Sequence, residues 1–410
     1  MIKPSYVLRD IEKVLLQSVS QFPSIAISGP RQSGKSTLLK HLFSKTHSYT
    51  SLDDPLTREK ALSDPKTFLE SLGKKAIIDE IQYAPELTTY IKIAIDEHRE
   101  QKGSFILTGS QQFSMIKNLG DSLAGRVALF DLFPFSFHEK SRAHFFRDAV
   151  SAKEGFIHAC VRGCYPEVAM GPKIDHQRWY GSYLSSYLER DVRGLYDIGN
   201  LRDFQRFFQL LAARTAQILN ISSLANDLGV SVNTIKKWLS VLEASKIVFI
   251  LQPYFESFGK RITRSPKVYF MDCGLACYLT GIRDESQLMR GPMAGALFET
   301  FCVQETVKAL INQGERADIY YLRTNNGLEI DLILRANGGK IYPFEIKMTQ
   351  TPRFSMIAPF QKYKNLFPGL QIMPGRIVYL GKETAPLSSD ASMVSFRDYL
   401  ELISDPKKLD

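Results

Sequence analysis

The chain has 410 residues, more than one hydrophobic core can hold, so two to four domains are expected. Its composition, 44% hydrophobic and 23% charged, is that of a soluble globular protein, and no apolar run approaches the ~18 residues that span a bilayer, which excludes a membrane-spanning class. An odd count of five cysteines argues against a disulfide framework, and Met1-Ile2-Lys3-Pro4 lacks the layout of a signal peptide, so a cytoplasmic location is expected.

In chain order, residues 7–20 carry apolar side chains at helical spacing and lead into Ile25-Ala26-Ile27-Ser28, which reads as a buried strand. The stretch that follows, Gly29-Pro30-Arg31-Gln32-Ser33-Gly34-Lys35-Ser36-Thr37, fits G-x-x-x-x-G-K-[ST], and residues 37–43 have helical spacing. Strand, glycine-rich loop and helix form the setting in which this pattern holds phosphate. The glycines let successive backbone N–H groups close around phosphate oxygens, and the helix N-terminus adds the positive end of its dipole. ATP is the expected ligand, with Lys35 reaching the β- and γ-phosphates and the Ser36 hydroxyl taking a place on Mg²⁺.

A second strand is expected at Tyr49–Leu52 and two short helices over 56–72. Then comes Lys75-Ala76-Ile77-Ile78-Asp79-Glu80, a buried parallel strand ending in two acids about 45 residues after the loop. That is the Walker B arrangement. Asp79 would hold Mg²⁺ through water opposite Ser36, while Glu80, one residue on, polarises the attacking water as a general base. After a helix at 86–99, the strand Ser104–Ser110 ends where related ATPases place a polar γ-phosphate sensor. Ser110 or Thr108 fits that role, with Gln111 behind them and a plain strand cap as the alternative. Arg126 reads either as a charge-stabilising finger for its own or a neighbour's nucleotide or as a surface arginine. Strands alternating with helices imply an α/β fold with a parallel sheet covered on both faces.

Residues 140–200 are mostly helical in pattern. The tyrosine-rich stretch from Trp179 to Arg193 is expected to be core rather than a base-stacking surface, with Arg190 and Arg193 within reach of phosphates. Beyond it, Ile221–Leu242 has a helix-turn-helix layout, one helix ending at Gly229 and Ser231 capping the next. Two strands, Ile247–Leu251 and Lys267–Met271, flank a basic loop, Lys260-Arg261-Ile262-Thr263-Arg264, which together make a winged helix. Residues 205–270 carry nine Lys or Arg against three acids, a net +6 of the chain's +9. Duplex DNA is the expected partner, contacted through residues 231–267 with Lys236 and Lys237 on its phosphates; a plain packing module is the alternative. Cys160/Cys164 and Cys273/Cys277 each have C-x-x-x-C spacing, but their apolar surroundings read as buried thiols rather than a zinc site.

Farther on, a helix over 293–312 carries Glu299, and a strand at Tyr320–Arg323 precedes Leu328-Glu329-Ile330-Asp331 and Lys340–Lys347, joined by a turn at Asn337-Gly338-Gly339. Period-two alternation puts Glu345 and Lys347 on one face, and the hairpin can bring Asp331 beside them. Two acids sharing a face with a lysine suit a Mg²⁺ site that activates water, with Glu299 orienting the group, and this is the pattern of the PD-(D/E)xK nucleases. On spacing alone a structural role is the stronger reading, because E-x-K on a strand is common.

Over nearly its whole length the chain resembles the bacterial and archaeal AAA-family ATPases that carry a C-terminal DUF4143 region. The resemblance rests on Gly29–Thr37, Ile77-Ile78-Asp79-Glu80-Ile81-Gln82, Leu107-Thr108-Gly109-Ser110, Leu123-Ala124-Gly125-Arg126, Tyr320-Tyr321-Leu322-Arg323, Glu329-Ile330-Asp331 and Glu345-Ile346-Lys347. It implies an α/β ATPase core over 1–140, a helical lid or linker over 141–204, a winged helix over 205–285 and a restriction-endonuclease-like α/β domain over 286–410. Catalysis would rest on Lys35 and Glu80, and at the second site on Asp331, Glu345 and Lys347; Ser36, Asp79, Glu299, Asp331 and Glu345 would be metal ligands. Two functions compete: an ATP-driven protein acting on DNA, and a nucleotide-dependent protein-interaction switch whose nuclease-like domain is a scaffold. A homo-oligomer is compatible with either.

Overall fold

The structure is a computed structural model that describes residues 6–109, 123, 125–142, 152–188, 200–254, 265–336 and 338–409. Ser110, Gln111, Arg190, Arg193 and the basic loop at 260–264 lie outside the described residues. Helix α1 (Glu12–Gln21) starts five residues later than the apolar spacing predicts, and residues 6–9 before it are not helical. After it come β1 (Ser24–Ser28), α2 (Lys35–Phe43) and β2 (Ser48–Ser51). Helices α3 (Pro55–Ser63) and α4 (Pro65–Ser71) start alike: Asp54 and Asp64 each accept a backbone N–H three residues on, with proline at the first helical position. Then follow β3 (Ala76–Asp79), α5 (Leu87–Glu97), β4 (Phe105–Gly109) and β5 (Val127–Asp131).

These five strands form one wholly parallel sheet in the order β2-β3-β4-β1-β5. Period two divides the core in half. Ala26, Ala76, Ile78, Phe105 and Leu107 point to one face and meet Phe68, Leu87, Ile91 and Ile95 from α4 and α5. Ile25, Ile27, Ile77 and Ile106 point to the other and meet Ile11 just before α1, Leu15 from α1, and Leu38 and Leu39 from α2. Both faces are covered over the central strands, so β1, β3 and β4 are buried along their whole length. Because all run the same way, the loops after β1, β3 and β4 gather at one edge.

A short helix α6 (Phe137–Arg142) leaves this sheet. The middle of the chain contains α7 (Ala152–Arg162), α8 (Pro166–Met170), α9 (His176–Ser186) and α10 (Leu201–Ala213). The tyrosine stripe is core: Tyr180, Tyr183 and Tyr187 are buried. Next come β6 (Gln217–Ile218), α11 (Ile221–Leu228), α12 (Val232–Ala244), β7 (Val248–Leu251) and β8 (Lys267–Phe270). Gly229, at φ +67°, ends α11, and the Ser231 hydroxyl accepts the Thr234 N–H to start α12. The three strands pair antiparallel in the order β6-β8-β7.

Helices α13 (Cys273–Thr280), α14 (Glu285–Arg290) and α15 (Ala294–Asn312) lead to the C-terminal strands β9 (Ile319–Arg323), β10 (Glu329–Arg335) and β11 (Ile341–Lys347). Helix α16 (Ala358–Leu366), strands β12 (Gly375–Tyr379), β13 (Ala385–Ser388) and β14 (Ala391–Ser395), and helix α17 (Phe396–Ser404) complete the chain. The second sheet is mixed, in the order β13-β14-β12-β11-β10-β9. Helix α15 is buried on nearly every side, packing against α7, β8, β11 and α17. One apolar cluster accordingly runs from Phe156 through Trp238 and Phe301 to Phe344 and Tyr399, with no break between the middle and C-terminal segments. All five cysteines are free and buried. No described helix is long and apolar enough to cross a membrane.

Candidate nucleotide site and a C-terminal charge cluster

The loop between β1 and α2 turns at two glycines whose backbone excludes a side chain. Gly29 has φ +150°, and a Cβ there would lie 2.1 Å from the Leu132 carbonyl oxygen; Gly34, at φ +96°, begins α2. Lys35 is buried, and its ammonium group donates back to the carbonyls of Gly29 (2.9 Å) and Pro30 (3.0 Å). Ser33 Oγ is buried without a hydrogen-bond partner. A concave loop with an ammonium group and an orphaned hydroxyl suits an anionic ligand. Arg31 donates to Tyr83 OH at 3.3 Å, and Gln32 takes a left-handed backbone.

Asp79, at the end of β3, gathers three hydroxyls. Ser36 Oγ and Tyr49 OH each donate to its Oδ2 at 2.6 Å, and Thr108 Oγ1 donates to Oδ1. The Thr108 hydroxyl also accepts the Glu80 N–H at 3.2 Å. Glu80 itself sits at φ +60°, and its carboxylate accepts from Gln82 Nε2. The turn thus separates the two acids: Asp79 faces Ser36 while Glu80 is held by a different partner. A hydroxyl and a carboxylate in direct contact are the hard oxygen donors that Mg²⁺ takes. Beside the loop, a cavity of about 410 Å³ is lined by Gly34 and Thr37 on one side and by Tyr6, Phe135, Pro166 and Met170 on the other. Its volume suits a small ligand, roughly 300–1,000 Å³ being usual, and its walls are mostly apolar.

Arg126 lies at the far end of β1 from the loop. Its guanidinium pairs with Asp96 on α5, Nε to Oδ1 at 2.6 Å and Nη2 to Oδ2 at 3.0 Å, while its carbonyl accepts the N–H of Ser24. Ser24 begins β1, whereas the phosphate loop follows the end of that strand. At ~3.3 Å per residue the strand's length separates them. Arg126 therefore does not reach its own chain's phosphate loop.

The C-terminal hairpin brings Asp331, Glu345 and Lys347 together. Lys347 Nζ lies 2.8 Å from Asp331 Oδ2 and 2.7 Å from Glu345 Oε2, and Asp331 also accepts the Ile346 N–H at 2.8 Å. Burial, reinforced by Asp331, pushes the Glu345 carboxyl well above the usual range, and its Oε1 is buried without a partner. Burial alone would pull Lys347 down, but Asp331 and Glu345 outweigh it and raise it. Glu299 takes other partners: Lys267 Nζ at 3.0 Å and Tyr269 OH at 2.6 Å. Lys267 also pairs with Glu329 at 2.9 Å. Among the described residues no three His, Cys, Asp or Glu side chains are gathered so as to hold a metal ion. Asp331 and Glu345 thus share Lys347, while Glu299 is held by Lys267 and Tyr269.

Lys246 and Lys267, two of the nine cations counted over residues 205–270, are paired within the fold. Lys267 is buried, and Lys246 Nζ pairs with Asp131 Oδ2 at 2.6 Å. A buried ammonium must be paired to persist, so neither is available to phosphates. Lys236 and Lys237 on α12 do face solvent.

Sequence models of three families match in succession: an AAA domain over residues 21–141, a domain of unknown function (DUF8612) over 153–286, and a domain of unknown function (DUF4143) over 294–399. The uncharacterized proteins Mb2031c of Mycobacterium bovis and Rv2008c of Mycobacterium tuberculosis are each 31% identical over 382 residues, covering 93% of this chain and 81% of theirs. The chain belongs to the AAA-domain ATPase family with a C-terminal DUF4143 region. Among solved structures, it is similar to the Walker-type ATPase PABY2304 of Pyrococcus abyssi, at 17% identity and TM-score 0.44 over 68% of this chain and 99% of that one. The RuvB Holliday junction branch migration motor of Thermotoga maritima aligns at 19% identity and TM-score 0.30, over 58% of this chain and 88% of that one.

Within this family's AAA domain the motif residues Lys35, Ser36, Asp79 and Glu80 lie around one loop edge. Sequence reasoning missed Tyr49, Arg9, Asp131 and Lys246 around this loop, and Lys267, Tyr269 and Glu329 around the C-terminal acids. Only Tyr49 had a local signal, as the inward hydroxyl on a strand next to β3.

Proposed function

We propose that the chain is a Mg²⁺-dependent ATPase whose turnover is coupled to duplex DNA. The observation that carries the reading is the meeting of Ser36, Tyr49 and Thr108 on Asp79 beside a buried Lys35, with Glu80 turned aside on its own partner. Mg²⁺ held by Ser36 and Asp79 would supply positive charge against the β- and γ-phosphates. Lys35 would exchange its two loop carbonyls for phosphate oxygens, and the loop N–H groups would hold the remainder. Glu80 would orient water and accept its proton. The adjoining cavity, walled by Tyr6 and Phe135, would take base and ribose.

In this reading α10, α11, α12 and the β6-β8-β7 sheet form a winged helix, and α12 meets DNA through Lys236 and Lys237. The weakly basic surface left after Lys246 and Lys267 are paired favours salt-sensitive binding of low sequence preference. The C-terminal acids match the nuclease pattern residue by residue. The engagement of Glu299 by Lys267 and Tyr269 rather than by Lys347 favours the second reading for that region, a scaffold in a nucleotide-dependent switch.

Steady-state ATP hydrolysis with Mg²⁺, with and without duplex DNA, beside a Lys35→Ala control, tests the proposal. DNA should raise turnover at low salt and have no effect in the control. Turnover indifferent to DNA would sink the DNA reading and favour the switch.

A further inference from the structure

Arg9 belongs to no motif, yet its guanidinium is buried and held on three sides. Nη1 donates to the Ser33 carbonyl at 2.9 Å, Nη2 to the Phe133 carbonyl at 2.7 Å, and Nε to Glu139 Oε1 at 2.9 Å. The cation also stands 4.9 Å from the centre of the Phe135 ring. Glu139 is wholly buried and accepts the N–H groups of Asp10 and Ser136, each at 2.8 Å. A charge so deeply placed and matched donor by acceptor fixes geometry more than it adds stability.

What it fixes is a peptide of the phosphate loop. The Ser33–Gly34 peptide is planar and trans, so its carbonyl and its N–H point to opposite sides. Gly34, at φ +96°, has no side chain to resist rotation of that peptide. Arg9 draws the carbonyl outward, toward 133–139. The Gly34 N–H is thereby turned the other way, into the loop, where a phosphate oxygen needs it. A Cβ on Gly34 would lie 3.4 Å from Arg9 Nη1, so the two elements are already in contact.

We infer that Arg9 is a positioning residue of the nucleotide site: by holding the Ser33 carbonyl it presets the Gly34 N–H for phosphate. The inference rests on the proposed nucleotide reading. Glu139 is the counter-charge that makes the buried guanidinium tolerable, and the non-helical run before α1 is what lets residue 9 reach the loop.

The test is binding of a fluorescent ADP to the full chain with Mg²⁺, alongside thermal unfolding, for wild type, Arg9→Lys and the charge-balanced double variant Arg9→Met/Glu139→Gln. The double variant should bind about tenfold more weakly, the scale of one hydrogen bond to a charged ligand. Arg9→Lys keeps one donor for the Ser33 carbonyl and should recover most of the affinity lost in the double variant while melting below wild type. A folded double variant that binds as wild type overturns the inference. If the double variant does not fold, Arg9→Lys decides: affinity falling only in step with stability overturns it. Wild type that binds no ADP removes the nucleotide reading, and this inference with it.

Discussion

Lys246 Nζ lies 2.6 Å from Asp131 Oδ2, and Asp131 also accepts the hydroxyl of Ser28, the last residue before the phosphate loop. Two side chains thus join the turn after α12 to the mouth of the nucleotide site. Both partners are largely buried, at 19% and 16% exposure, so the pair is screened less by salt than a surface pair. Lys246 holds a left-handed backbone, at φ +57°, a conformation uncommon outside glycine. The expected outcome is that Lys246→Met leaves basal ATP turnover within about twofold but removes most of its stimulation by DNA. Stimulation equal to wild type would show that the pair carries no coupling.

Lys236 and Lys237 are the exposed cations of α12. Replacing both by glutamate should weaken duplex binding across sequences and reduce the slope of log affinity against log salt by about 2, one for each phosphate no longer neutralised. Fluorescence anisotropy over a salt series measures it. An unchanged slope places the DNA-binding surface elsewhere.

For the nucleotide site, Glu80→Gln should keep ADP affinity while lowering turnover by roughly 10²-fold or more, since the base is removed and the fold is not. Gly29→Ala should instead destroy binding and lower the melting temperature, because the new methyl group meets the Leu132 carbonyl at 2.1 Å. Obtaining the same phenotype from both variants would contradict the separation of roles.

Burial raises Glu299 to about 7, against an ordinary 4.5, even though Lys267 pulls it down. The folded state therefore holds this proton more tightly than the unfolded state. Its stabilising effect is complete below about 4.5 and is lost as pH rises toward 7. Between pH 5 and 8, wild type should lose roughly 2 kcal/mol more than Glu299→Gln by urea unfolding. A difference between the two chains that is independent of pH would refute the assignment.

Much of this architecture is legible in the amino-acid sequence. The phosphate loop and the strand ending in Asp79 are, because their signals are local: a fixed spacing, an apolar run and a glycine where only glycine fits. The C-terminal hairpin is too, because period two places Glu345 and Lys347 on one face. What stays hidden depends on distant packing. Lys267 looks like part of a basic surface until α15 is laid over β8. Glu305 and Lys308 look like the polar face of an amphipathic helix, yet both are buried, pairing with each other at 3.0 Å and bonding to the backbone at Phe137 and Phe135. Arg126 stays open in the sequence for the opposite reason, since its motif-like neighbours say nothing about which end of the sheet it occupies.

Helix α15 is buried in the shared cluster that runs from Phe156 to Tyr399. The boundary near residue 290 that separates two family models is therefore no seam in the solid. Cutting the chain there would strip cover from both halves at once, and neither fragment would keep a closed interior. Heating should accordingly give one calorimetric peak for everything after α6, with measured and van't Hoff enthalpies in agreement. For a molecule that works by cycling nucleotide, that cooperativity means strain entering at Phe135 or Phe137 is received by a single stiff body rather than dissipated in a hinge.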